Sequence, residues 1–260
     1  MSGYSNHRAV SLAMGLGGGV LLLAMWETAV HLVELPAYLL PPPLMIFSDL
    51  ADNWQRVLQH SFYTAANIFI GFGLGIVFAI PLAMLVTFSR FFERTIYPAI
   101  VFFQIIPKIA IAPLFIIWFG FGLLPKVLIV FLLTFFPVVV SAVAGFKSAD
   151  PDLIELARSS GAGSFRTFAK IRFPSALPEI FTGLKVAAAM ACTAAIVAEF
   201  VTSDSGLGYL LLTYNGELRT SMVFAVIFVL GLIGVAVFYL VEVAEKLMIP
   251  WHVKSRGDAH

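Results

Sequence analysis

The sequence predicts an all-α polytopic membrane protein of about six transmembrane helices, with one ordered polar loop between two of them. Composition and the lengths of the apolar runs predict it. Of 260 residues, 60% are hydrophobic and 12% charged, with mean hydropathy +0.95; soluble domains carry about twice that charged share. The apolar residues fall in long runs at about 11–33, 61–88, 96–119, 124–146, 180–201 and 222–245, and a spanning helix needs roughly 20 of them. A net charge of +1 suggests no nucleic-acid partner. The one cysteine, Cys192, lies inside an apolar run and supplies neither a disulfide framework nor a metal cluster.

The first run follows His7 and Arg8, as in a secretory signal, but it is too long and no clear small-residue cleavage site follows it. An uncleaved first helix is expected. Pro41, Pro42 and Pro43 then resist helix continuation. Beyond them Phe47, Leu50, Trp54, Val57 and Leu58 share one helical face, with Ser48, Asp49, Asp52 and Gln55 off it. A helix lying at the membrane interface and a plain connector both remain open. In the second span Asn67, Gly71 and Gly75 mark a close-packing face. The third and fourth spans are separated by Gly120-Phe121-Gly122-Leu123, with Pro125 just beyond, and form a helical hairpin. Along the fifth span Lys185, Ala188, Cys192, Ala195 and Glu199 follow one face whose small residues permit close packing. Nothing marks a second domain, so residues 1–260 read as one transmembrane domain.

Orientation follows from the basic residues of the loops. With the N-terminus inside, eleven Lys and Arg lie in inside segments: Arg8, Arg90, Arg94, Lys147, Arg158, Arg166, Lys170, Arg172, Lys246, Lys254 and Arg256. Only Arg56, Lys126 and Arg219 lie outside, and Lys108 and Lys185 fall within spans. Both termini and the 147–179 loop are therefore expected in the cytoplasm.

That loop is polar and basic, yet Glu, Gly and Pro recur in it at spacings a topological loop does not need. Pro151 and Asp152 suit the start of a short helix through Glu155, Leu156 and Ala157, with Asp152 as cap. Gly161 and Gly163 allow positive φ and a change of direction. Ser164 caps a second short helix, Phe165 to Ile171, which Pro174 and Pro178 stop before the fifth span. Leu156, Phe165, Phe168 and Ile171 are its apolar knobs; Glu155, Arg158, Arg166, Lys170 and Arg172 carry its charge. Such a helix–turn–helix fits a groove on a partner and transmits a rigid push.

The segment resembles the Glu-Ala-Ala signature of importer permeases of the ATP-binding-cassette class, with Glu155, Ala157, Gly161, Ile171 and Pro174 matching. Leu156 replaces an alanine and Phe173 a leucine, and both stay apolar. Further stretches are similar to the nitrate/sulfonate/taurine branch: Leu40-Pro41, Ile106 to Ala110, Ala112-Pro113-Leu114, Trp118-Phe119-Gly120, Glu199-Phe200, Gly206 to Tyr209 and Pro250-Trp251. The resemblance implies a multi-pass permease of the bacterial inner membrane. It implies a second copy, most simply a homodimer, two cytoplasmic ATP-binding subunits and an extracytoplasmic solute-binding protein. No Gly-x-x-x-x-Gly-Lys-Ser/Thr loop occurs, so ATP and Mg are expected in the partner ATPase and no cofactor in this chain. The residues expected to couple to that ATPase are Glu155, Ala157, Arg158, Gly161, Gly163, Arg166, Ile171 and Pro174.

Ionisable groups at membrane depth are functional candidates. Lys108 lies between Pro107 and Pro113, which free backbone carbonyls; it either draws an anion into the pathway or caps those carbonyls. Glu199 reads as a structural or gate-region partner, since it would repel an anion. Gln104 is a further pathway candidate, and Lys185 is expected to snorkel. The resemblance implies a small anion, of sulfonate, taurine or nitrate type, and Lys108 agrees with an anion; a pyrimidine or aromatic nutrient is the alternative. A secondary transporter or channel would accommodate broken helices but leaves the ordered loop unexplained. An intramembrane enzyme finds no His-Glu-x-x-His, and the histidines are scattered.

Overall fold

The computed structural model describes residues 3–202 and 204–251, with side chains from residue 17 except that of Thr202. The side chains of His7 and Arg8, and His252, Lys254, Arg256 and His260, lie outside the described residues. In order come α1 (Gly3–Leu32), α2 (Pro43–Asp52), α3 (Trp54–Phe88), α4 (Arg90–Ile105), a 3₁₀ turn (Lys108–Ile111) and α5 (Ala112–Phe119). Then follow α6 (Leu123–Lys147), α7 (Pro151–Ser159), α8 (Ser164–Thr167), a π-turn (Phe168–Arg172), α9 (Phe173–Thr202), α10 (Leu207–Gly216) and α11 (Thr220–Met248). Four helical stretches are long and apolar enough to cross a membrane: Trp54–Phe88, Leu123–Lys147, Ser164–Val201 and Thr220–Met248. The α4–α5 pair would make a fifth, and the described part of α1, Gly17–Leu32, is a shorter apolar helix.

The run read as one span over 96–119 is not one helix. It bends by 86° at a break between α4 and α5. Pro107 disfavours helical geometry at Ile106, which is extended at φ −64°, ψ 132°. Pro81, Pro98 and Pro137, by contrast, sit inside continuous helices.

The chain divides into two compact units. The first comprises Met1–Gln59 and Leu210–Val229. Here the stripe expected to form one surface helix is split. α2 ends at Asp52, so Trp54, Val57 and Leu58 belong to α3. Pro42 cannot cap α2 with a side-chain bond; instead Glu27 Oε2 accepts the Leu44 N–H at 3.0 Å. Trp26 packs edge-on to Phe224, and Phe47 to Phe228, each at 5.7 Å. The guanidinium groups of Arg56 and Arg219 lie 5.6 and 5.2 Å from the ring centroid of the fully buried Tyr214.

The second unit, His60–Tyr209 with Leu230–His260, holds the main core. α6 and α9 pack along a stripe in which Ala187, Ala188, Ala191, Ala194, Ala195 and Ala198 are all fully buried. Small residues let the two backbones approach closely. The α3 face expected from Asn67, Gly71 and Gly75 is present. A Cβ on Gly75 would stand 2.6 Å from Thr134 Oγ1, and one on Gly71 the same distance from Val130 Cβ. Lys185 does not snorkel. It pairs with Glu245, whose side chain is 7% exposed.

Candidate functional site

α7 and α8 form the expected helix–turn–helix, with its details revised. Asp150, not Asp152, caps α7: its Oδ1 accepts the Asp152 N–H at 2.9 Å. Pro151 takes the first helical position, where no N–H is needed, which moves the cap back by one. Gly161 turns the chain at φ +77°, the conformation only glycine adopts without strain. Gly163 does not: at φ −68° it is the extended cap of α8. Pro174 and Pro178 do not stop the second helix either. They lie in the opening turns of α9, and Ser164–Val201 runs on as one helical stretch. The π-turn makes this possible. The Phe173 N–H reaches back five residues to the Phe168 carbonyl, and the widened turn accommodates the proline that follows.

Leu156 and Phe165 project outward, 63% and 80% exposed. Phe168, expected to be a third knob, instead is buried against Phe88, Phe146 and Phe173, with ring centroids 4.7, 5.3 and 6.1 Å away. Ile171 and Pro174 are half-buried. Glu155, Arg158 and Arg166 are exposed, and Glu155, Arg158 and Arg172 line one cavity of about 820 Å³. Ala157 is half-buried; its carbonyl accepts the Ala162 N–H at 2.9 Å and closes the turn. The unit is therefore stiff at its base, where Phe168 locks it to the core, and apolar at its tip.

At the α4–α5 break, Lys108 Nζ donates to the Gln104 carbonyl at 2.7 Å and lies 4.8 Å from the Phe136 ring centroid. This is the carbonyl-capping arrangement that the flanking prolines invite. Gln104, Pro107 and Pro113 are exposed, as are Phe102, Ile105, Ile117 and Trp118.

Glu199 is fully buried. Its carboxyl group accepts from Thr64 Oγ1 at 2.9 and 3.0 Å, Asn67 Nδ2 at 2.9 Å and the Gly208 N–H at 2.8 Å. Thr64 Oγ1 in turn accepts the Leu207 N–H at 2.8 Å. The Gly206 N–H donates to His60 Nδ1 at 3.0 Å. Gly206 sits at φ +105°, and a Cβ there would fall on the Glu199 carboxyl group. Lys126, read as an outside-loop residue, is instead 4% exposed in the first turn of α6 and donates to Ser205 Oγ at 3.1 Å. Together these groups latch the turn before α10 onto α3, α6 and α9. Sequence reasoning missed Thr64, His60 and Lys126. The signal for a latch was present in the Gly206-Leu207-Gly208 turn a few residues beyond a membrane-depth carboxyl.

Residues 71–250 match the family described as binding-protein-dependent transport system inner membrane component. The chain is 36% identical to the formylaminopyrimidine transport permease protein ThiX of Halalkalibacterium halodurans, covering 91% of this chain and 94% of that one. It is 34% identical to the riboflavin transport system permease protein RibX of Chloroflexus aurantiacus (89% and 87%). With the putative aliphatic sulfonates transport permease protein SsuC of Bacillus subtilis the identity is 31% (91% and 86%). The fold is similar to that of a chain from the inward-facing MetNI methionine transporter, with TM-score 0.64 at 19% identity, covering 76% of this chain and 97% of that one. The chain belongs to the binding-protein-dependent inner membrane components and is a permease subunit of an ATP-binding-cassette importer, whose ATPase is a separate chain.

Proposed function

We propose that two copies of this chain form the translocation pathway, each presenting α7 and α8 to a cytoplasmic ATP-binding subunit. The observation that carries this is mechanical. Outward-facing Leu156 and Phe165 sit on a unit that Phe168 locks to the core and that continues without a stop into α9. A push on the tip is delivered to α9, which packs against α6 through its buried alanines. ATP and Mg stay with the ATP-binding subunit, and an extracytoplasmic binding protein delivers the solute. Both termini lie in the cytoplasm, as the basic-residue bias directs. The exposed apolar surface of α4 and α5 supports contact with the second copy. In the purified complex, Glu155→Lys is expected to abolish ATPase association while the helix content stays unchanged. Normal association and transport by the variant would refute the coupling role.

For the solute we favour a small heterocyclic nutrient. The two more similar relatives described above carry such molecules in their names, and Lys108 is already engaged by Gln104 and Phe136. A sulfonate-type anion is the second reading, favoured by the position of the Lys108 cation at the break. Uptake of a labelled pyrimidine and of a labelled alkanesulfonate by the reconstituted importer, with its binding protein, separates them. Under the first reading Lys108→Met keeps the pyrimidine preference; under the second it abolishes sulfonate uptake.

A further inference from the structure

Arg90, Arg158 and Arg172 come from three separate elements: the first turn of α4, the last turn of α7 and the π-turn. They line one cavity of about 380 Å³, together with Thr87, Ser164 and Thr167. The cavity's carboxylate, Glu93, is engaged by Lys147. Among the described residues, none of the three guanidinium groups has an ion-pair partner. Three cations thus line one pocket whose one carboxylate, Glu93, is bonded to Lys147, so positive charge is in excess there, beside hydroxyl-bearing side chains. Planar guanidinium forks match the oxygens of a phosphate group and bind it by charge-assisted hydrogen bonds.

We propose that this cavity binds a phosphate group, and that its occupation ties α7 and the π-turn to the corner between α3 and α4. The group belongs either to an anionic phospholipid headgroup or to a soluble phosphate. The proposal does not depend on the transported solute, and it is tested on the chain without its ATP-binding subunit because Arg158 also lies on the face proposed for that subunit.

The test uses the full-length chain in neutral detergent, read by native mass spectrometry. The probes are phosphatidylglycerol, phosphatidylcholine and inorganic phosphate. Phosphatidylcholine is the control, because its choline cation opposes the arginines. Phosphatidylglycerol or inorganic phosphate is expected to be retained well above the control. Retention is expected to fall about tenfold in R90Q/R172Q, and to stay unchanged in R94Q, at an exposed residue one turn along α4 that does not line the cavity. Arg158→Gln, on an exposed helix face, serves if the double variant fails to fold. Retention of phosphatidylglycerol alone assigns a lipid headgroup; retention of inorganic phosphate assigns a soluble one. Retention of neither probe overturns the proposal. So does equal retention by wild type and variants, even where those variants lose ATPase association, since the arginines would then serve a protein carboxylate.

Discussion

The α6–α9 pair and the α4–α5 pair are both strongly apolar, and they end in opposite situations. α6 and α9 run as long helices packed through alanine and glycine, with seven alanines of α9 fully buried. α4 and α5 are bent by 86° and leave Ile105 78% and Ile117 75% exposed. The difference teaches that hydropathy selects membrane segments, whereas side-chain size and proline placement decide which become scaffold. Small residues commit a helix to its neighbour. Large aromatics beside a proline break leave one open to lipid, to a second copy or to a passing solute.

The contrast can be broken most severely at the latch that closes the scaffold. Glu199→Ala would leave Asn67 Nδ2 and the Gly208 N–H buried without their acceptor. The expected loss is on the order of 4 kcal/mol, read as a large fall in melting temperature in detergent. A melt unchanged from wild type would show that the latch is not structural. Gly183→Leu comes next. A Cβ at that position would collide with Ser141 across the α6–α9 seam, and overpacking of this kind typically costs about 1–3 kcal/mol. The smallest stability effect is expected at Pro107→Ala, within about 1 kcal/mol, because the break is exposed. There transport should fall while complex assembly persists. A stability loss as large as at Gly183 would mean the break is part of the scaffold.

Much of this was legible in the sequence. The Gly161 turn, the outward Leu156 and Phe165, and the close-packing face of Asn67, Gly71 and Gly75 all follow from local residue chemistry. The helix starting at Pro151 was also readable, although its cap lies at Asp150, because a proline at the first helical position shifts the cap back. What failed depended on distant partners. Phe168 looked like a knob because nothing local reveals Phe88 and Phe146 closing over it. Lys185 looked like a snorkelling residue because Glu245 is 60 residues away in the chain. Lys126 counted as loop charge until Ser205 met it. Pro174 and Pro178 read as stops, since a π-turn that accommodates them is not encoded by any short motif. The anion preference drawn from Lys108 weakened for the same reason, once its ammonium proved to be bonded to Gln104.

The most direct test of the coupling account is site-specific crosslinking of the assembled transporter. Cys192, the one native cysteine, is replaced by serine, and Leu156→Cys is introduced at the tip of α7. The purified complex is treated with a short thiol crosslinker against single cysteines placed around the surface groove of the ATP-binding subunit. The account predicts a crosslinked permease–ATPase band that depends on the Leu156→Cys substitution and whose yield changes when ATP is added. An intact complex with no such band, or labelling of that cysteine only by a membrane-impermeant reagent applied from outside intact cells, would contradict it.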